Sequence, residues 1–166
     1  MNQFSRRKSK SSFDDLDELW EEEGKDSDAL DPSFVDSLSS KELGEVGELI
    51  AISYLEERGY RVLEHSYRCS EGEADLVCFD ESDDSVVMVE VKTRRAGKRD
   101  VNSFYPEEAV DARKQRTYRR IASCYLMDHY PIRSIRFDVV GITVVCGTQA
   151  NIKHFHNAFD WDVDSR

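Results

Sequence analysis

The chain has 166 residues and carries 23 Lys plus Arg against 34 Asp plus Glu, a net charge of −11. That balance excludes a uniformly basic coat for nucleic acid. Apolar residues make up 39%, enough for a core, yet the longest nearly apolar run, Val139 to Cys146, falls far short of the ~20 residues a membrane span needs.

The four cysteines, Cys69, Cys78, Cys124 and Cys146, are widely spaced with no C-x-x-C pair. The pattern argues against zinc ligation by that motif and for reduced thiols in a cytoplasmic protein. Arg6, Arg7, Lys8 and Lys10 are followed by no apolar stretch, so no secretory signal is expected. The charge is uneven. Residues 1–40 hold 5 basic and 11 acidic side chains, whereas Lys92 to Arg120 holds 10 basic and 4 acidic. Phosphates respond to local charge, so a polyanionic partner is compatible with the acidic average. A solvated helix face is the plainer account of the same block.

In chain order, residues 1–38 are rich in Ser and Asp and read as a disordered acidic extension. Phe13, Leu16, Leu19 and Trp20 fall on one helical face there, which would suit docking through residues 1–40 on a protein partner or on the chain's own basic face; a tail with a few stray apolar residues is the plainer account. The folded domain is expected over 39–160, with 161–166 as a tail. Ser39-x-x-Glu42 has capping-box spacing and opens a helix to about Arg58, with Gly59 at C′ and Leu43, Val46, Ile50 and Tyr54 as its apolar stripe. Tyr60 to Arg68 and Glu73 to Phe79 read as strands. Asp80 to Ser85 is a polar turn into a third strand, Val86 to Arg94, so the second and third strands form a hairpin. Arg95 to Tyr105 reads as a mobile basic loop. Pro106 suits the first turn of a helix running to about His129, with Tyr118, Ile121, Ala122, Tyr125 and Leu126 as its core stripe. Ile135 to Val145 is a strand region with Gly141 as a bulge or break. The order α-β-β-β-α-β(-β) predicts an α/β domain with a mixed central sheet flanked by helices.

The third strand contains Glu90-Val91-Lys92. Residues i and i+2 of a strand share a face, so a carboxylate and an ammonium project side by side. Val86 to Val89 and Val91 frame them in an otherwise apolar strand, where an unpaired charge is costly. The partner strand opens with Gly72-Glu73-Ala74-Asp75, so Asp75, Glu90 and Lys92 can meet at one end of the hairpin. Two converging carboxylates suit Mg²⁺ or Mn²⁺, and a lysine beside them suits phosphodiester hydrolysis. A structural Asp–Lys–Glu ion pair is the alternative reading. Glu48 shares a helix stripe with Gly44, Ala51, Ile52 and Leu55, so it faces the sheet as a third metal ligand or as an acid favoured by the helix dipole. Gln115 shares a face with Tyr118 and Ala122, from which it reaches the site, reaches a nucleic-acid backbone, or forms a satisfied semi-buried amide.

Gly44-x-x-Gly47-Glu48-x-x-Ala51-x-x-Tyr54-Leu55, Gly59-Tyr60, Arg68, Gly72-Glu73-x-Asp75-Leu76, Val89-Glu90-Val91-Lys92-x-Arg94, Lys114-Gln115, Arg136-Phe137-Asp138-Val139 and Asn157-Ala158-Phe159 together resemble the YraN-like family of small uncharacterised bacterial proteins. That family in turn resembles the restriction-endonuclease-like superfamily, with its PD-(D/E)xK site. The resemblance covers about residues 41–160. It departs at Ala74, where Ile is usual, and at Ser66, where Asn is usual. The resemblance implies Asp75, Glu90 and Lys92 as the catalytic trio, with Glu48 as an accessory ligand. Glu73 and Gln115 are further accessory candidates.

The resulting expectation is an Mg²⁺- or Mn²⁺-dependent nuclease acting on DNA, structure-specific and linked to repair or recombination. Arg94, Lys98, Arg99, Arg113, Lys114 and Arg116 are the expected phosphate contacts. The alternative is a non-catalytic nucleic-acid-binding or protein-interaction module on the same fold. A monomer or homodimer in the cytoplasm, with no membrane attachment, is expected.

Overall fold

A computed structural model describes residues 32–95, 110–145 and 149–161. The elements in chain order are α1 (Pro32–Ser37), α2 (Ser40–Glu56), β1 (Tyr60–Cys69), β2 (Gly72–Asp80), β3 (Ser85–Arg95), α3 (Ala112–Asp128), β4 (Ile135–Val145) and β5 (Gln149–Phe155). The strands form one sheet in sequence order, β1-β2-β3-β4-β5. Neighbours pair antiparallel except β3 with β4, which run parallel because α3 carries the chain back across the sheet. This is the mixed α/β sheet the sequence predicts. No helix among the described residues is long and apolar enough to cross a membrane.

The helix starts are chemically defined. At α2 the Ser39 N–H donates to Glu42 Oε2 (2.7 Å) and the Glu42 N–H donates to Ser39 Oγ (3.3 Å), a complete capping box. At the other end the chain leaves α2 through Gly59 at φ +84; with Glu57 as C-cap, Gly59 falls at C″, one position past the C′ place expected for it. The start of α3 differs more. The helix begins at Ala112 instead of in the turn after Pro106, because the Asp111 carboxylate accepts from the Lys114 N–H (2.8 Å) and caps it. Pro106, Glu107 and Glu108 lie outside the described residues, as do Phe13 to Trp20 and all but the first residue of the expected basic loop.

Three other expectations change. The helix α1 falls within the stretch expected to be disordered. Val35 of α1 is buried, and the Arg95 guanidinium donates to the Val35 carbonyl (3.0 and 3.1 Å) and to that of Leu38. Gly141 neither bulges nor breaks β4. It pairs with Lys92 on one side and Lys153 on the other, so two ladders hold it extended. Trp161, placed in the tail, packs edge-on against Phe137 and donates to the Ile135 carbonyl (3.2 Å).

The sheet divides the core into two layers. Val86 and Met88 of β3 pack with Tyr118, Ile121, Ala122 and Tyr125 of α3 on one face. Val87 and Val89 pack with Leu43, Ala51 and Leu55 of α2 on the other. The expected stripe of α2 is rotated: Leu43, Gly47, Ala51 and Leu55 are buried, while Val46, Ile50 and Tyr54 are partly exposed. The small residues let the helix lie close on β3. A Cβ built on Gly47 would sit 1.7 Å from Thr93 Oγ1, so this contact exists only with glycine.

Gly47→Ala is expected to destabilise the protein by about 1–3 kcal/mol, the usual cost of overpacking. Thr93→Ala in the same background should recover part of it. Denaturant unfolding of the two single variants and the double variant checks this. Additive losses would mean the two residues do not meet.

Candidate active site at the open end of the hairpin

The β2–β3 ladder is paired from Asp80↔Ser85 to Leu76↔Val89. Beyond it the strands part, and the next residue on β2 is Asp75. Its Oδ2 accepts the Val91 N–H at 2.7 Å, so a side chain takes the place of a ladder partner. The distortion has a counterpart on β1, where Ser66 adopts φ +53. Ala74 and Val77 both pack on the α3 face, although strict alternation would send them to opposite faces. A positive φ suits Asn better than Ser.

Glu90 and Lys92 project on the α3 face, as their i, i+2 spacing requires. The Glu90 carboxylate is 2% exposed. Lys92 Nζ lies 2.7 Å from its Oε1 and Lys114 Nζ lies 3.1 Å from its Oε2. Both ammonium groups keep contact with solvent while the carboxylate does not. Burial pushes the Glu90 pKa up, but the Lys92 hydrogen bond, Tyr118 and the Lys114 charge outweigh it and hold the group below its usual value.

Asp75 behaves oppositely. Burial first, and then the Glu90 charge, push it up to about 7, against the lowering effects of the Val91 N–H and Lys114. Tyr118 ties the two strands together. Its hydroxyl donates to the Val89 carbonyl (3.3 Å) and accepts from the Asp75 N–H (3.4 Å). Burial, Asp75 and Glu90 raise its pKa well above the ordinary tyrosine value, so the ring stays neutral.

The structure therefore brings Asp75, Glu90, Lys92 and Lys114 together. Glu48 stands close enough to raise the Asp75 pKa, and its Oε2 pairs with His65 Nε2 at 2.6 Å. Glu73 is not with them. It accepts from Arg68 at 2.9 and 3.2 Å near the surface. The Gln115 amide donates to the Val110 carbonyl (3.1 Å) and accepts from Arg119 (3.4 Å), a satisfied semi-buried group. Arg94 donates to Thr143 Oγ1 (3.2 Å), and Arg113 and Arg116 are exposed on α3. Lys98 and Arg99 lie outside the described residues.

Three participants escape the sequence reading. Tyr118 reads as core, Lys114 as a surface phosphate contact, and His65 carries no signal beyond its place in a weakly alternating strand. The helix periodicity contains the first two in retrospect: Lys114 and Tyr118 are i, i+4 and so lie on one face.

A cation fits the carboxylate pair on two observations. Burial and a second carboxylate raise the Asp75 pKa to about 7, so its charged form is disfavoured unless a cation joins it. Glu90 Oε2 is buried with no hydrogen bond of good geometry, although Lys114 stands beside it. Oxygen donors of this kind suit a hard divalent ion.

Residues 47–142 match the model of the uncharacterised protein family UPF0102. Among individual proteins, the chain is similar to a UPF0102 protein of Syntrophomonas wolfei, with 43% identity over 72% of this chain and 99% of that relative. It is also similar to one of Alkaliphilus oremlandii, with 37% identity over 72% and 99%, and to one of Pelobacter propionicus, with 38% over 78% and 90%.

A carboxyl whose pKa is raised on folding stabilises the fold fully below its unfolded pKa, and this contribution is lost as pH rises through the folded value. For Asp75 the loss runs from the ordinary carboxylate range through about 7. In chelator, Asp75→Asn is expected to unfold at a higher temperature than the parent at about pH 8 and to differ much less at about pH 5. An equal difference at both values would contradict the assignment.

Proposed function

The chain belongs to the uncharacterised protein family UPF0102, and we propose that it is a metal-dependent nuclease that hydrolyses phosphodiester bonds in DNA, structure-specific in the sense of acting on branches, flaps or ends. The observation that carries the reading is a buried carboxylate, Glu90, and a half-buried one, Asp75, meeting two lysines at one open end of the hairpin. A divalent ion held by Asp75 and Glu90, with Glu48 near Asp75, would polarise the scissile phosphate and neutralise charge that develops on it.

The protein's own groups do the rest. Lys92, fixed by Glu90 and partly exposed, can orient an attacking water or stabilise charge on the phosphate. Lys114 holds the other oxygen of the same carboxylate, so the acid cannot rotate away when Lys92 engages the substrate. Asp75 can hold or release a proton near neutrality. Arg113 and Arg116, exposed on the turn of α3 that carries Lys114, suit backbone phosphates. A role in repair or recombination, in the cytoplasm, accords with such a substrate.

The purified protein should cut branched or linear DNA in Mg²⁺ or Mn²⁺ and not in chelator. Glu90→Ala and Lys92→Ala should each lower the rate by at least about a hundredfold, the scale of losing one preorganised charge. Equal activity in both variants would assign the cleavage to a contaminant. Salt-sensitive binding without cleavage by the parent would instead identify a nucleic-acid-binding module on the same fold.

A further inference from the structure

The Arg136-Phe137-Asp138-Val139 segment takes no part in the site above. In the parallel register Asp138 stands opposite Val89, one residue before Glu90. Phe137 and Val139 pack on the α3 face, so Asp138 projects to the α2 face. The sheet therefore separates it from Glu90. There Asp138 is fully buried beside His154 of β5 and His156, which follows β5.

The two oxygens of Asp138 do different work. Oδ1 accepts from the Asn157 N–H (2.9 Å) and Arg136 Nε (3.1 Å). Oδ2 lies 2.9 Å from His154 Nε2 and 3.6 Å from His156 Nδ1, with Arg136 Nη2 at 3.3 Å. One ligand atom from each of Asp138, His154 and His156 falls within 4.8 Å of the other two. Ligands on a tetrahedral ion with bonds of ~2.0–2.1 Å stand about 3.3 Å apart, and the two separations about Oδ2 bracket that value.

We propose that Asp138, His154 and His156 form a second metal site, for an imidazole-preferring first-row divalent ion such as Zn²⁺, on the face of the sheet opposite the carboxylate pair.

Charge favours it. Asp80, Asp83 and Asp138 surround the single Arg136 guanidinium, an excess of two negative charges that one divalent ion cancels. The histidines are suited to ligation. The His154 side chain is 2% exposed, and its Nδ1 has no partner. With no metal bound, Asp138 Oδ2 accepts the Nε2–H and so sets the tautomer; metal uptake displaces that hydrogen bond, the ring proton moving to Nδ1 as Nε2 becomes the ligand. Tyr60 Oη, 3.2 Å from His156 Nδ1, gives up that hydrogen bond on metal uptake and keeps the one from Arg136 (2.9 Å).

Access is open. His156 is 59% exposed and lines a cleft of about 580 Å³ together with Arg58, Tyr60, Asp80, Arg136 and Asn157. Three protein ligands leave a fourth position, which water or an anionic oxygen from the cleft can fill. Two imidazoles and one carboxylate favour Zn²⁺ or Co²⁺ over Mg²⁺.

The test titrates the metal-free full-length protein with Co²⁺, reading the intense visible absorption of tetrahedral cobalt, and then displaces Co²⁺ with Zn²⁺. The parent and Asp75→Asn should bind one equivalent with equal affinity, since Asp75 belongs to the other site. His156→Ala, at an exposed position, should keep the fold by circular dichroism and bind at least about tenfold more weakly. An unchanged affinity in His156→Ala overturns the proposal. So does a parent without tetrahedral cobalt absorption, and so does loss of binding in Asp75→Asn, which would place the ion at the carboxylate pair.

Discussion

A carboxylate buried in an apolar strand governs much of this molecule. Taking Glu90 out of water costs several kcal/mol even after relaxation, and the cost is tolerable only with paired charges in good geometry. Lys92 comes from the same strand by simple alternation. Lys114 comes from a helix more than twenty residues away, so Glu90 constrains where α3 lies on the sheet. The Tyr118 hydroxyl, one helical turn further on, completes the constraint by bonding both β2 and β3. Leaving Glu90 unpaired would be far more costly than losing any one surface ion pair. The docking of α3 and the geometry of the candidate site are therefore one structural problem with one solution.

The opposite face is set by shape in place of charge. Gly47 allows α2 to rest on Thr93, two positions from the buried face of Val91 and adjacent in sequence to Lys92. Glu48 follows Gly47 directly, so the close approach that needs a glycine also delivers an acid to the neighbourhood of Asp75. A bulkier residue at 47 would lift the helix and carry Glu48 with it. Packing and site chemistry again depend on the same contact.

Much of this was legible in the sequence because it is local. The capping box at Ser39 and Glu42, the hairpin through Asp80 to Ser85, and the shared face of Glu90 and Lys92 all follow from periods of two or 3.6 and from turn chemistry. What escaped is non-local. That Lys114 meets Glu90, that His65 meets Glu48, and that Asp138 meets His154 depend on how helices and strands are laid together. The start of α3 differs from the position that Pro106 suggests because the Asp111 carboxylate caps the helix at Ala112. Glycine is weak in an isolated strand and so suggests a break at Gly141; two flanking ladders override that preference. Hydrophobicity points to Val46, Ile50 and Tyr54 on α2, whereas the buried stripe is Leu43, Gly47, Ala51 and Leu55. Where a helix must approach a sheet closely, the small residues face inward.

The acidic average of the whole chain can now be given a direction. Along β3, the turn at its start carries Asp80, Glu81, Asp83 and Asp84, and its far end carries Lys92, Arg94 and Arg95. From Ser85 to Lys92 is roughly 23 Å of extended chain, beyond the ~8–10 Å screening length at physiological salt. A phosphate near Lys92 and Lys114 thus feels the local cations far more than the acids at the turn, several of which are already matched to Arg133 and Arg136. Asp138 and the two histidines lie nearer along the strand, opposite Val89, but on the other face of the sheet from Glu90 and Lys92. One sheet, with its charges divided by end and by face, can keep an anion-attracting surface inside a protein whose formal charge is −11.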